Sequence, residues 1–322
     1  MLKDILDKKQ CFKLVCGCGN EDEKEVEKLV ALYSKAGCNF FDLCAKPEIV
    51  DAAKRGLEYA GIKDGRYLCV SVGIDGDPHT NKAFIDKNLC VGCELCKNSC
   101  PHEAIETVDK HCKINKKRCI GCGHCINECG LKAISLKAIP QDLEEIMPPL
   151  IEKGIDCIEL HAIGEDEEEV DKKWGYLNKI FNGIMCISID RSKLGDEKLL
   201  ERVKRMLSIR KPYTTIVQAD GIAMSGSIND YRTTLQSIAI TEFFASKNLP
   251  AYIMSSGGTN ARATELAKLC GVPQNALAVG SYARKIVKNY VAQDDFLTNP
   301  TIFNKALEIA KNLVETSLKN MG

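Results

Sequence analysis

Short runs rich in β-branched, aromatic and small apolar residues recur along this chain. They alternate with stretches in which apolar side chains return every three or four positions, a rhythm that predicts a parallel sheet wrapped by helices. Eight runs read as strands: FKLVCGCG from Phe12, CNFFDLC from Cys38, RYLCVSVG from Arg66, DCIELHAIG from Asp156, IMCISID from Ile184, YTTIVQAD from Tyr213, AYIMSS from Ala251 and ALAVGS from Ala276. A helical segment follows almost every one. Asn20 precedes EDEKEVEKLVALYSKAG, Pro47 opens the next, Pro140 precedes QDLEEIMPPLIEKG, and FNKALEIAKNLVETSLKN closes the series. These are ordinary helix-start signals, while Pro148 and Pro149 predict a kink in the third. Eight β-α units with near-continuous apolar strands favour a (β/α)8 TIM-like barrel over a doubly wound sheet.

The rhythm breaks once, between the third strand and its helix. The division it predicts is residues 1–78 for strands 1–3 of the barrel, 79–137 for an insertion, and 138–322 for strands 4–8 and the last helix. The insertion holds CVGCELCKNSCP from Cys90 and CIGCGHCINECG from Cys119, so the pattern C-x2-C-x2-C-x3-C occurs twice. Two-residue spacings let three thiolates converge on one cubane, while the fourth cysteine ligates the other cluster. The expected sets are Cys90, Cys93, Cys96 and Cys129 for one [4Fe-4S] cluster, and Cys119, Cys122, Cys125 and Cys100 for the second. Gly92, Gly121 and Gly123 suit backbone that approaches the sulfurs closely. Zinc also uses C-x2-C pairs, but two complete four-cysteine runs, each followed by an Ala-Ile step, favour iron and sulfide. Between the runs, the alternation predicts a hairpin turning at Lys110 and His111, and Cys112 lies outside the ligand spacing. The fold class is thus α/β, a barrel with an inserted α+β bacterial-ferredoxin-like 2[4Fe-4S] domain.

Composition agrees. Eighteen cysteines suit metal ligation in a compartment that keeps thiols reduced, and the N-terminal MLKDILDKKQ lacks the regions of a signal peptide, so a cytoplasmic location is expected. No apolar run approaches the roughly 20 residues of a membrane-spanning helix. Forty-four basic residues balance 44 acidic ones, which removes the field expected of a nucleic-acid binder.

Insertion after the third strand places the cysteines at the C-terminal face, where barrels of this kind keep their sites. Strand parity then selects residues for the mouth: Asp42, Cys44 and Lys46 on the second strand, Glu159 and His161 on the fourth, Ser188 and Asp190 on the fifth, with Arg191 following. The seventh and eighth strands end in SSGGTN and VGSYAR. Loops there often bind phosphate through backbone N–H groups and a short helix, making Gly257, Gly258, Thr259, Gly280, Ser281 and Arg284 candidates for a phosphate-bearing ligand. The same glycines equally make turns. Cys16 and Cys18 close the first strand, and QADGIAMSGSINDYRTT after the sixth reads as a lid or clamp carrying Gln218 and Asp220.

Residues 90 to 130 resemble the bacterial two-cluster ferredoxins. The wider layout, with its CGxGN opening, QADGxxMSG after strand six and Gly-Gly and Val-Gly-Ser endings, resembles the cyanobacterial light-dependent-period (LdpA) iron-sulfur family. That resemblance implies a redox-responsive protein that senses the state of electron transport, without a settled reaction. At the level of fold alone, the chain is similar to flavin-dependent barrels such as dihydroorotate dehydrogenases, which implies a place for flavin mononucleotide (FMN) with Lys46 near its ring. Two readings lead, ahead of a third in which the barrel binds a sugar phosphate or nucleotide and the clusters are only structural. One is an oxidoreductase that exchanges electrons with a donor or acceptor protein while Glu159, His161 and Asp190 handle protons, with Lys46 as a fourth catalytic candidate. The other is a redox sensor whose barrel is a binding scaffold.

Overall fold

A computed structural model describes residues 1–62, 64–75, 77–222 and 230–321. Eight parallel strands close into a barrel: β1 (Cys11–Val15), β2 (Phe40–Cys44), β3 (Tyr67–Gly73), β8 (Cys157–His161), β9 (Ile184–Ile189), β10 (Thr215–Asp220), β11 (Tyr252–Ser256) and β12 (Ala276–Val279), with β12 pairing back to β1. All eight expected strands are present. The first ends at Val15, so CGCGN belongs to the loop above it.

Strand parity sorts the side chains into two cores. Phe12, Leu14, Phe41, Leu43, Val70 and Ile158 face outward against the helices, each burial contributing about 1.5–3 kcal/mol. Cys11, Phe40, Cys69, Cys157, Cys186, Ile216, Tyr252 and Met254 point inward and fill the barrel floor. A short helix that the hydrophobic pattern did not announce, α1 (Leu2–Asp7), closes that floor with Leu2 and Leu6.

The outer ring holds α2 (Glu23–Lys35), α3 (Pro47–Ala60), α6 (Leu143–Glu152), α7 (Glu167–Ile180), α8 (Asp196–Ser208), α9 (Asp230–Ala245), α10 (Ala263–Leu269), α11 (Ser281–Val291) and α12 (Pro300–Met321). Three of these start at an aspartate whose carboxylate accepts a first-turn N–H: Asp22 from Glu25, Asp142 from Glu144 and Asp166 from Glu169. Helix α6 runs unbroken through Pro148 and Pro149.

Between β3 and α6 lies the inserted module. Its entry and exit strands, β4 (Asn81–Ile85) and β7 (Ile134–Ala138), pair antiparallel, so the chain leaves and re-enters the barrel at one place. Inside are the hairpin β5 (Ile105–Val108) and β6 (His111–Ile114), and two single-turn helices, α4 (Leu95–Asn98) and α5 (His124–Glu128). The hairpin turns at Asp109 and Lys110, whose φ values of 49° and 64° are both left-handed, as a two-residue turn of this twist requires.

The module is fastened to the loop after β1. Lys82 is buried and donates to the carbonyls of Gly19 (2.6 Å), Lys116 (2.8 Å) and Cys119 (2.8 Å), with Glu21 at 3.0 Å balancing its charge. The Glu21 N–H donates to the Lys117 carbonyl at 2.7 Å. Among the described residues, no helix is long and apolar enough to cross a membrane.

Candidate functional site

The two cysteine runs adopt matching local backbones. Gly92 and Gly121 both take φ 69°, and a Cβ on either would collide with a carbonyl, that of Lys110 at 2.2 Å or Asn81 at 2.3 Å. None of the eighteen cysteines is joined to another in a disulfide. Backbone N–H groups donate to four sulfurs of the runs: Ala104 to Cys100, Ala133 to Cys129 and Ala83 to Cys119 at 3.3 Å, and Cys112 to Cys90 at 3.4 Å. The Ala-Ile steps after each run thus supply donors to the fourth cysteines. Cys100, Cys119, Cys122 and Cys125 surround one small cavity, and His102 and His124 also line it. His102 Nε2 and His124 Nδ1 are buried there without a partner among the described residues. Sulfurs that accept N–H donors, with two unpartnered ring nitrogens beside them, fit a metal-sulfide group better than an apolar filling.

Beside this cavity opens a second one of about 640 Å3, the barrel mouth, well within the range of small-molecule sites. Ile120, Gly121 and Cys122 line both cavities. Gly19 makes this approach possible, since a Cβ on it would lie 3.1 Å from Ile120 Cα.

Alternation along the inward-facing strand positions sets the chemistry of the mouth. Lys13, Asp42, Ser71, Glu159 and Gln218 form a polar layer directly above the thiol-lined floor. The Lys13 ammonium is fully buried; it donates to Glu159 and, at 2.9 Å, to Gln218, with Asp42 at 4.0 Å. Gln218 donates onward to Glu159 at 3.0 Å. Above them His161 lies 3.2 Å from Glu159 through Nε2 and 2.8 Å from Asp77 through Nδ1. His79 Nδ1 meets the other Asp77 oxygen at 2.9 Å.

These contacts move the proton affinities apart. Burial opposes ionisation of Glu159, but Lys13 and His161 outweigh it and hold the carboxyl below its ordinary range. Burial likewise opposes charge on Asp77 and on His161, and their mutual attraction prevails, lowering the first and raising the second. Asp42 goes the other way: burial, reinforced by Glu159 and only partly offset by Lys13, pushes it up to about 6. Asp220 is raised too, by burial and then by Glu159.

The structure brings Glu159, His161, Asp190, Gly257, Gly258, Thr259, Gly280, Ser281 and Arg284 to the lining of this one cavity. Lys46 is not in that lining; it pairs with Glu21 at 2.6 Å, beside the start of α3. Asp190 accepts from the N–H and hydroxyl of Ser192, which occupies one of its oxygens locally. At Gly257 and Gly258 (φ 63° and 90°), a Cβ would strike Gly221 N at 2.6 Å or Ile222 O at 2.6 Å, so close packing on the neighbouring loop already requires glycine there. Gly280 caps α11 without a side-chain bond. Arg284, one turn in, is buried with Nε unpartnered among the described residues. Burial, with a smaller contribution from the Arg284 charge, lowers the basicity of His102 to about 3. Of the expected lid, residues 223–229 lie outside the described residues.

Lys13, Asp77 and His79 were missed. Lys13 could have been found as a charged residue at an inward position of an otherwise apolar strand, and the Asp-Pro-His run as two ligand-type residues immediately before the insertion.

A closed parallel barrel carrying a ferredoxin-type module at its mouth defines an iron-sulfur protein of the redox class. The description "4Fe-4S dicluster domain" matches residues 82–130, and "Light dependent period A C-terminal domain" matches residues 149–316. The chain belongs to the light dependent period A family. It is 29% identical over 255 residues to Light dependent period A of Synechococcus elongatus, covering 78% of this chain and 71% of that one. One component of the ion-translocating oxidoreductase complex of Pasteurella multocida is 39% identical over an aligned stretch of 102 residues, covering 28% of this chain and 52% of its own. The YdjI aldolase from Escherichia coli K12 superposes with a TM-score of 0.51 at 7% identity over 100% of this chain and 95% of that one, a likeness of fold alone.

Proposed function

We propose that this protein is a cytoplasmic electron-transferring oxidoreductase that exchanges electrons between a soluble partner protein and a phosphate-bearing ligand in the barrel mouth, of which FMN is one example. Cys90, Cys93, Cys96 and Cys129 hold one [4Fe-4S] cluster, and Cys119, Cys122, Cys125 and Cys100 hold the other. Once bound, the clusters supply one-electron transfer. The observation that carries this reading is the shared wall: Ile120, Gly121 and Cys122 separate the second cysteine set from the mouth by a single loop.

The chain's own groups divide the remaining work. Arg284, with the N-terminus of α11 at Gly280 and Ser281, offers positive potential and free donors to a phosphate. Glu159 and His161 sit together at the centre of the mouth, placed to hold and pass a proton between Nε2 and the carboxylate. Equilibrium dialysis of anaerobically purified protein against FMN and against inorganic phosphate tests the ligand: saturable binding that Arg284→Gln weakens at least tenfold is expected, and no saturable binding of either sinks the reading.

Membership of the light dependent period A family favours a second reading, a redox sensor in which cluster state changes the loop after β1 that the buried Lys82 fastens to the module. Hydrogen exchange at residues 17–23 that differs between oxidised and reduced protein, with no ligand in the mouth, would favour it.

A further inference from the structure

We propose that Asp77, His79 and His161 form a mononuclear site for a divalent first-row transition-metal ion, separate from the iron-sulfur clusters and open to the barrel mouth. One carboxylate oxygen and one ring nitrogen from each imidazole lie within 4.8 Å of one another. His161 Nδ1 stands 2.8 Å from Asp77 Oδ2, and His79 Nδ1 stands 2.9 Å from Oδ1. The two imidazoles meet different oxygens of one carboxylate, and ligands on adjacent corners of an octahedron with metal bonds of about 2.1 Å are roughly 3 Å apart, so an ion would draw the three ligand atoms together from within 4.8 Å. Each imidazole hydrogen-bonds one oxygen of the Asp77 carboxylate, which gathers the three groups at one point of the lip.

The backbone builds this cluster. Asp77 follows β3, and His161 ends the neighbouring strand β8, where it is registered with Gly73. A Cβ at Gly73 would lie 2.2 Å from Asp77 Oδ2, so glycine there is what lets the carboxylate reach across the barrel lip. Asp77 Oδ1 also accepts the His79 N–H at 2.9 Å, and the Thr80 hydroxyl donates to the Asp77 carbonyl at 2.9 Å, fixing the turn.

Charge supports the assignment. Asp42, Asp77 and Glu159 are all buried, and Lys13 is the lysine among them. A second ligand-like group, Asp42, Cys69 and Glu159, is equally close-set, but the Lys13 ammonium already supplies its cation. Asp77 has no lysine or arginine partner among the described residues. Two imidazoles and one carboxylate suit zinc, iron(II) or manganese(II) rather than calcium or magnesium, which prefer all-oxygen sets. His79 and His161 line the cavity, so an ion held by them would be reachable from the mouth. Glu159, 3.2 Å from His161 Nε2, supplies the outer carboxylate that commonly orients a metal-bound imidazole.

Manganese(II) titration of the protein with both clusters intact tests this, following loss of the free-ion EPR signal at room temperature, with zinc as competitor. The expected result is one ion per chain, displaced by zinc. His79→Ala, at a partly exposed position that should fold, and Asp77→Asn should each weaken binding at least tenfold. Asp190→Asn, a mouth carboxylate outside the group, should leave it within twofold. Absence of saturable binding, binding that survives His79→Ala, or equal loss in Asp190→Asn overturns the proposal.

Discussion

The two cysteine runs share one spacing and one local backbone, yet they lie in different surroundings. In the first, Cys93 is exposed and flanked by exposed apolar side chains, Val91 at 68%, Leu95 at 53% and Leu89 at 49%. In the second, Cys119 and Cys125 are buried, and Ile120 to Cys122 form part of the wall of the barrel mouth. Spacing therefore specifies how a cluster is held, while the element packed against the loop specifies what it can reach. The first run faces outward, as the proposed exchange with a soluble protein needs, and the second lines the mouth.

The largest expected effect comes from breaking the attachment that creates this asymmetry. Lys82→Met leaves Glu21 without one of its two lysine partners and three carbonyls without their donor, and should cost about 3–5 kcal/mol. Thermal denaturation followed by loss of cluster absorbance checks it. An unchanged midpoint would mean that the module and barrel are not joined as described. Lys13→Met should be comparably destabilising, because the buried Glu159 then loses its ammonium partner and keeps only His161 and Gln218, and Lys13→Met with Glu159→Gln should recover much of the loss.

A smaller effect concerns Asp42. Its carboxyl is raised from 3.8 to about 6 in the folded state, so its contribution to stability is full below pH 3.8 and declines as pH rises to about 6. The urea midpoint of the wild type relative to Asp42→Asn should accordingly fall across that window and level above it. Infrared difference spectra should show a protonated carboxyl band titrating near pH 6 that vanishes in the variant. The smallest effect is at the outer run: Val91→Lys should change stability by no more than about 0.5 kcal/mol while slowing exchange with a soluble redox protein several-fold in stopped-flow measurements.

Those effects also mark what the sequence made legible. The eight strands and the cysteine runs were readable because each depends on a local pattern, apolar period or ligand spacing, that survives without knowledge of neighbours. The mouth was readable in part, since parity placed Glu159, His161 and Ser188 on the inward face. Lys46 falls outside the mouth lining because parity does not carry past the end of β2 at Cys44 into the N-cap of α3, where alternation no longer holds. Lys13 was passed over because one lysine among apolar residues reads as a strand edge until seven other strands enclose it. The glycines of the seventh loop illustrate the converse: Gly257 and Gly258 suit a phosphate cradle, but the contacts that demand them come from Gly221 and Ile222.

Arg284 joins the mouth to the inserted module, because it lines the mouth from α11, the helix whose Lys288 donates to the Pro101 carbonyl at 3.4 Å and pairs with Glu103 at 2.7 Å. An EPR-monitored potentiometric titration of wild type and Arg284→Gln, with Cys93→Ser used to identify the outer cluster, tests the asymmetry directly. Removing this positive charge should lower the reduction potential of the inner cluster by roughly 60 mV, a tenfold change in a one-electron equilibrium, and leave the outer cluster within about 10 mV. Equal shifts in both clusters, or a shift confined to the outer one, would contradict the placement of the second cluster at the barrel mouth.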